Sequence, residues 1–128
     1  MAKRLPSTVD IQLNILAAAV IAASANGIGL DLGVNFAPDA GGQPVQGIVN
    51  ITAIKTSATN ETYTFTLQDS PDNATWTNRS PATVATAVGG LVVSGFIEQR
   101  YVRLSVVLAG TAPTITVLDC YLNPLVLG

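Results

Sequence analysis

The chain has 128 residues, of which 11% are charged, and this length predicts one domain that buries a core without disulfides or metals. A single Cys excludes an internal disulfide, and the absence of His excludes Ser-His-Asp and Cys-His catalytic centres and Cys/His zinc sites. The net charge is −2, with no basic cluster beyond Lys3-Arg4, so the cationic surface that nucleic acid binding requires is missing.

The first element is an apolar run at residues 14–25, NILAAAVIAASA. With Lys3-Arg4 before it and Ala23-Ser24-Ala25 at its end, it resembles a cleaved export signal. Polar residues between positions 6 and 14 interrupt that pattern, and the run is shorter than the ~20 residues of a membrane span. We therefore interpret it as a strand or helix of the folded protein, buried in the domain or against a partner at Ile15, Leu16, Val20 and Ile21.

The next segments carry the sequence signals of strands. Residues 28–36 (IGLDLGVNF) and 47–54 (GIVNITAI) are short aliphatic stretches bounded by turn residues. Residues 61–68 (ETYTFTLQ) alternate strictly, which predicts a strand with Tyr63, Phe65 and Leu67 buried and a threonine-covered outer face. Residues 80–88 (SPATVATAV) predict a short helical turn.

Two further strands are predicted near the C-terminus, at residues 100–109 (RYVRLSVVLA) and 113–122 (PTITVLDCYL). The first has a buried row consisting of Val102, Leu104, Val106 and Leu108. The second turns Ile115 and Val117 inward, and Cys120 is expected to be a small buried residue. Residues 110–113 (GTAP) predict a short hairpin-like connection between them.

Many short strands with little helix predict an all-β protein, an antiparallel β-sandwich whose sheets pack on each other. Residues 1–14 are expected to form an extended N-terminal arm, and residues 15–128 the sandwich domain. The arm is expected to reach a neighbouring subunit.

Residues 69–73 (DSPDN) place two carboxylates and an amide in one turn. Such oxygens are calcium ligands, but the segment lacks the further ligands and terminal glutamate of an EF-hand-like loop. We therefore interpret it as an Asx-type turn between two strands. Trp76 follows and is expected to begin the next strand and to pack at one end of the core, since the chain has few aromatics for a sugar platform.

Three segments, taken together, resemble the jelly-roll capsid cement (decoration) proteins of tailed bacteriophages. They are residues 24–33 (SANGIGLDLG), residues 65–77 (FTLQDSPDNATWT), and RYVRL at 100–104 followed by GTAPTITV at 110–117. The similarity covers residues 24–125. The second and third motifs also occur in galactose-binding-type jelly rolls such as discoidin domains. Both comparisons imply a jelly roll of about eight strands.

The resemblance to cement proteins implies a virion structural protein on the outer face of the capsid, without an active site or cofactor. It would bridge major capsid subunits as a homo-oligomer, a dimer or a trimer, with neither nucleic acid nor membrane as partner. The low fraction of charged residues also favours assembly. The alternative is a discoidin-type carbohydrate-binding module.

A subunit interface is expected to use the arm and two arginines of the 100–109 strand. In the arm these residues are Lys3, Arg4, Leu5, Val9 and Ile11. Arg103 lies on the face opposite Val102 and Leu104, so it and Arg100 are expected to pair with Glu98 or with a neighbouring subunit.

Overall fold

The computed structural model describes residues 13–33 and 42–124, and these form an antiparallel β-sandwich, which confirms the predicted all-β class. The interface candidates Lys3, Arg4, Leu5, Val9 and Ile11, with all but the last two residues of the expected arm, lie outside the described residues. Neither described range contains a helix able to cross a membrane.

The twelve strands are β1 Asn14–Leu16, β2 Ala19–Ile21, β3 Ala25–Asn26, β4 Leu30–Asp31, β5 Gln43–Ile54, β6 Thr62–Ser70, β7 Thr77–Asn78, β8 Thr83–Val84, β9 Gly89–Ile97, β10 Tyr101–Ala109, β11 Ile115–Val117 and β12 Cys120–Pro124. Several short strands lie end to end and act as one interrupted strand. β1 and β2 form one such strand, as do β3 and β4, β7 and β8, and β11 and β12.

Sheet 1 contains β1, β2, β5, β9, β11 and β12. The long strand β5 pairs with β9 on one side and with β12 and β11 on the other, and β1 and β2 lie beyond those two. The outer strand is interrupted between β1 and β2, and its neighbour is interrupted between β11 and β12. At this shared break the carboxylate of Asp119 accepts a 2.7 Å hydrogen bond from Ala18 N. This bond lowers the pKa of Asp119 and links two segments that lie 101 residues apart.

Sheet 2 contains β3, β4, β6, β7, β8 and β10. β10 pairs with β6 over nine residues, β3 and β4 lie on the free side of β10, and β7 and β8 lie on the free side of β6. Consecutive strands change sheet at most connections, so the long strands must find partners far away in sequence.

The core lies between the sheets and consists of alternate residues of the long strands. Tyr63, Phe65 and Leu67 of β6 are at most 1% exposed, as the alternating pattern predicted. Val102, Leu104 and Val106 of the neighbouring strand β10 line the same face of sheet 2 and are also buried, whereas Leu108 is only partly buried. Sheet 1 contributes Val45, Val49, Val93, Ile97, Ile115, Val117 and Leu122. Each such side chain contributes roughly 1.5–3 kcal/mol by leaving water.

The apolar run at residues 14–25 is part of the sandwich and forms strands, which decides between the two forms left open by the sequence. Ile15, Leu16 and Ile21 are buried as predicted. Val20 is not part of the core: it is 68% exposed, on the face of β2 opposite the buried Ile21, and its burial against a partner stays a prediction.

Three predicted local features differ from the structure. Residues 80–88 contain strand β8 in place of a helical turn, because Thr83 and Val84 pair with β6. Residues 110–113 do not form a hairpin: β10 belongs to sheet 2 and β11 to sheet 1, so this segment crosses between sheets. Of the predicted strand at 28–36, only Leu30–Asp31 is a strand among the described residues.

Candidate functional site

The outer face of sheet 2, turned away from sheet 1, carries a row of polar side chains across three strands. Arg103 Nε of β10 donates a 2.8 Å hydrogen bond to Gln68 Oε1 of β6. Gln68 Nε2 in turn donates a 2.8 Å bond to Asn78 Oδ1 of β7. Arg103 and Gln68 are directly opposite in the ladder, as are Gln68 and Asn78, so the row follows from the strand register.

Trp76 covers one end of this row. The guanidinium carbon of Arg103 lies 4.2 Å from the centroid of the Trp76 ring, which is a cation–π contact. The expected place of Trp76 in the core is therefore wrong: the indole is half-buried on the outer face. The ends of the core are closed by other groups, one of them the buried Tyr63, whose hydroxyl donates to Lys55 O at 2.6 Å.

The turn at residues 69–75 positions Trp76, and it is the Asx-type turn predicted. Asp72 Oδ1 accepts hydrogen bonds from Thr75 N at 2.8 Å, Ala74 N at 3.0 Å and Ser70 Oγ at 2.9 Å. These bonds, that from Thr75 N first, lower the pKa of Asp72. Asn73 has a positive φ of 59°, which asparagine tolerates better than most residues.

Gly29, in the β3–β4 connection, bounds the other side of the indole. Its φ is +86°, a conformation that favours glycine. A Cβ at this position would lie 3.2 Å from Trp76 Cη2 and would also collide with the Asn73 side chain. The absence of a side chain at position 29 therefore lets Asn73 and the indole lie close to this part of the backbone.

The buried carboxylate of Asp69 stabilises the end of the sandwich where the turn at residues 69–75 lies. Asp69 is 0% exposed, and its Oδ1 accepts a 2.8 Å bond from Arg79 Nε. Its Oδ2 accepts from Glu98 N at 2.8 Å and Gln99 N at 3.0 Å. Asp69 thus joins β6, the segment after β7 and the β9–β10 turn, which meets the requirement that a buried charge be paired and hydrogen-bonded.

Arg100 has a different partner from the one expected. It forms a bidentate ion pair with Asp31, with Nε–Oδ1 at 2.6 Å and Nη2–Oδ2 at 2.8 Å, whereas Glu98 lies near Arg79. The Arg100 hydrogen bond lowers the pKa of Asp31, and the pair joins β4 to the start of β10. Both side chains are about half exposed, so the pair contributes little to stability.

Arg103 is the arginine that remains available to a partner. Within residues 13–33 and 42–124, Lys55 pairs with Glu61, Arg79 with Asp69 and Arg100 with Asp31, while Arg103 has no carboxylate partner. Partial burial lowers the pKa of Arg103 from its ordinary value. The guanidinium is nevertheless charged at neutral pH, because arginine is a very strong base. Trp76 and Gln68 hold it in one orientation, so its charge is presented without a large loss of side-chain entropy.

The other chemically notable groups have structural roles. Cys120 is fully buried, as predicted, and burial raises the pKa of its thiol to about 12. No group of three metal-ligating side chains occurs in the part of the chain that the structure describes. An open groove of about 460 Å³ between the β1–β2 edge and β3 is lined by apolar residues, Asn14, Asn26 and Gly27, without a titratable group.

The sequence analysis proposed Arg103 as a subunit-interface residue, and that proposal stays a prediction; it did not include Gln68 or Asn78, and it did not place Trp76 against Arg103. Gln68 and Arg103 occupy outward positions of alternating strands, a local signal that the sequence contains. Which outward residues meet depends on the β6–β10 register, and no local signal specifies that. No protein-family model matches the chain, and no similar sequence is found among curated proteins.

Proposed function

We propose that the chain is a virion structural protein that binds the outer surface of a bacteriophage capsid and stabilises contacts between major capsid subunits. The observation that carries this proposal is the strand order. When each interrupted strand is counted once, the chain has eight strands, which are, in chain order, β1–β2, β3–β4, β5, β6, β7–β8, β9, β10 and β11–β12. In this eight-strand numbering the order is 1-8-3-6 in sheet 1 and 2-7-4-5 in sheet 2. We infer from this order that the sandwich is a jelly roll, the architecture that the resemblance to cement proteins implies.

The face around Trp76 and Arg103 is the proposed contact with the major capsid protein. A rigid guanidinium whose terminal nitrogens are not engaged by a carboxylate of the described chain suits an acidic group on a partner. The neighbouring outward residues of β6 are small and uncharged: Thr62, Thr64 and Thr66. Such a surface costs little to desolvate when two proteins meet.

The carboxylates of the described chain also support a structural rather than a catalytic role. Several of them are engaged in holding turns or strands together: Asp31, Asp69, Asp72 and Asp119. The thiol of Cys120 is buried and protonated at neutral pH, so it is not a nucleophile. These groups stabilise the sandwich, and the proposed activity is binding.

Co-sedimentation with purified phage capsids tests the proposal. We expect the protein to sediment with mature heads and to raise the temperature at which they release DNA. Arg103→Glu should abolish binding, whereas the control Arg100→Gln, which alters an arginine already paired with Asp31, should bind like the unmodified protein. If the protein neither sediments with heads nor protects them from heat, the proposal is wrong.

The alternative is a carbohydrate-binding module, and one observation favours it. Trp76 leaves part of its indole accessible beside the amides of Gln68 and Asn78, and an aromatic ring next to hydrogen-bonding groups is a common way to hold a sugar. A glycan array decides the matter. Millimolar or tighter binding that is lost in Trp76→Ala would support this alternative, and an array without any bound glycan would reject it.

A further inference from the structure

Strand β9 is an unusually open sheet edge. It spans nine residues, Gly89–Ile97, and its ladder is formed with β5 alone. The other edge strands of both sheets, among the residues described, are two or three residues long: β1, β2, β3, β4, β7 and β8. Short edges resist pairing with other chains, and a long one invites it unless it is protected.

The direction of the backbone groups along β9 follows from one hydrogen bond. Phe96 N donates to Arg79 O at 3.3 Å, so the N–H of Phe96 points away from β5. Since backbone direction alternates along a strand, the N–H and C=O groups of Gly90, Val92 and Ser94 also point outward. None of these three residues has a second backbone partner in residues 13–33 and 42–124.

Charged and proline residues, which commonly protect an edge, are absent from β9, and the segment after β7 covers only its C-terminal end, where Arg79 and Ser80 lie against Gly95 and Phe96. β9 (GGLVVSGFI) has no charged residue and no proline, and its neighbour β5 (QPVQGIVNITAI) has no charged residue either. Three apolar side chains are exposed along this edge, Val88 at 60%, Val92 at 48% and Phe96 at 56%. An uncharged edge can face a copy of itself, because no like charges are brought together.

We propose that two copies of the chain pair along β9, antiparallel, about a two-fold axis at Val92. In this register Val92 of each copy exchanges both backbone hydrogen bonds with Val92 of the other. Gly90 of each copy does the same with Ser94 of the second copy, so all three outward-pointing residues of β9 find partners. The two copies of sheet 1 become one continuous sheet.

The same register covers the exposed side chain of Val92. The Val92 side chains of the two copies meet on the outer face across the axis. The small residue Gly90 lies opposite Ser94, which leaves room for the neighbouring valines. A second copy is therefore the occupant that pairs the outward backbone groups of Gly90, Val92 and Ser94, covers the Val92 side chain and fits the lack of charge along β9.

Sedimentation velocity with variants at position 92 tests this pairing. We expect the unmodified protein to be a dimer, and Val92→Lys and Val92→Glu each to weaken it by at least about tenfold, since like charges then face each other across the axis. Mixing the two variants should restore a dimer, because lysine then faces glutamate. Circular dichroism of each variant alone shows whether it is folded, and either variant suffices if the other is not.

The matched control is Val20→Lys, an exposed valine of β2 on the opposite edge of the same sheet, which should leave the dimer intact. A protein that remains monomeric at millimolar concentration would overturn the proposal. So would a dimer that survives both charges at position 92, or one that Val20→Lys disrupts. Failure of the mixed variants to associate would overturn the axis at Val92. The pairing is independent of the proposed capsid binding, which is measured with capsids.

Discussion

The guanidinium of Arg103 lies over the ring of Trp76, 4.2 Å from its centroid, although 27 positions separate the two residues in the chain. The contact holds the arginine of the proposed binding face in place. Trp76 is the single tryptophan of the chain, so its fluorescence reports directly on this contact.

We expect Arg103→Gln to shift the emission of Trp76 to longer wavelength, because water replaces the guanidinium over the ring. A double-mutant cycle with Trp76→Phe should give a coupling energy of about 0.5–1 kcal/mol. Denaturant unfolding measures it. Arg100→Gln is the control and should leave the emission unchanged, since Arg100 contacts Tyr101 and Asp31. An unchanged emission in Arg103→Gln would show that the contact does not form in solution.

The buried carboxylate of Asp69 should be far more important for stability than the partly exposed carboxylate of Glu98. We expect Asp69→Asn to lower the free energy of unfolding by about 3 kcal/mol, because Arg79 and two backbone N–H groups lose a charged acceptor. Glu98→Gln removes a 3.6 Å contact with the same arginine at a partly exposed site, and should cost less than about 1 kcal/mol. Urea unfolding compares the two, and equal losses would contradict the assignment.

The apolar run near the N-terminus should behave as part of the core. Ile15→Ala should lower the free energy of unfolding by roughly 2–5 kcal/mol, because Ile15 is 1% exposed between the sheets. Val20→Ala, five residues further along the same run, should change it by less than about 0.5 kcal/mol, since Val20 is 68% exposed. A small loss for Ile15→Ala, measured by thermal or urea unfolding, would show that the run does not belong to the folded domain.

Cys120 should make stability fall at alkaline pH. Burial raises the pKa of its thiol from 9.0 to about 12, so the folded state keeps a proton that the unfolded chain releases. The contribution of the protonated thiol is complete below pH 9 and is lost as pH rises through 12. We expect the folded protein to resist thiol-reactive dyes at pH 9 and to react on unfolding. Cys120→Ala should show a smaller alkaline loss of stability, and rapid labelling of the folded protein would contradict burial.

Strand positions were well predicted wherever one face of a strand is buried and the other is exposed to solvent. In β6 and β10 a period of two residues separates core from surface, so the buried rows containing Phe65 and Leu104 could be assigned by local inspection. The Asx turn around Asp72 was equally local, because its hydrogen bonds join residues two or three positions apart. Where the pattern was not periodic, as at residues 80–88, the prediction was wrong.

Pairing between strands was decided only in the tertiary structure. The sequence by itself determined an all-β protein, the buried rows of its regular strands and the lack of a histidine-based catalytic centre. It did not determine that β10 and β11 enter different sheets, or that Ala18 meets Asp119 101 residues away. The physical reason is that the alternation of apolar and polar residues shows only which face of a strand is exposed to solvent. The neighbour of each strand, and with it the contact between Trp76 and Arg103, depends on how two sheets close over a common core.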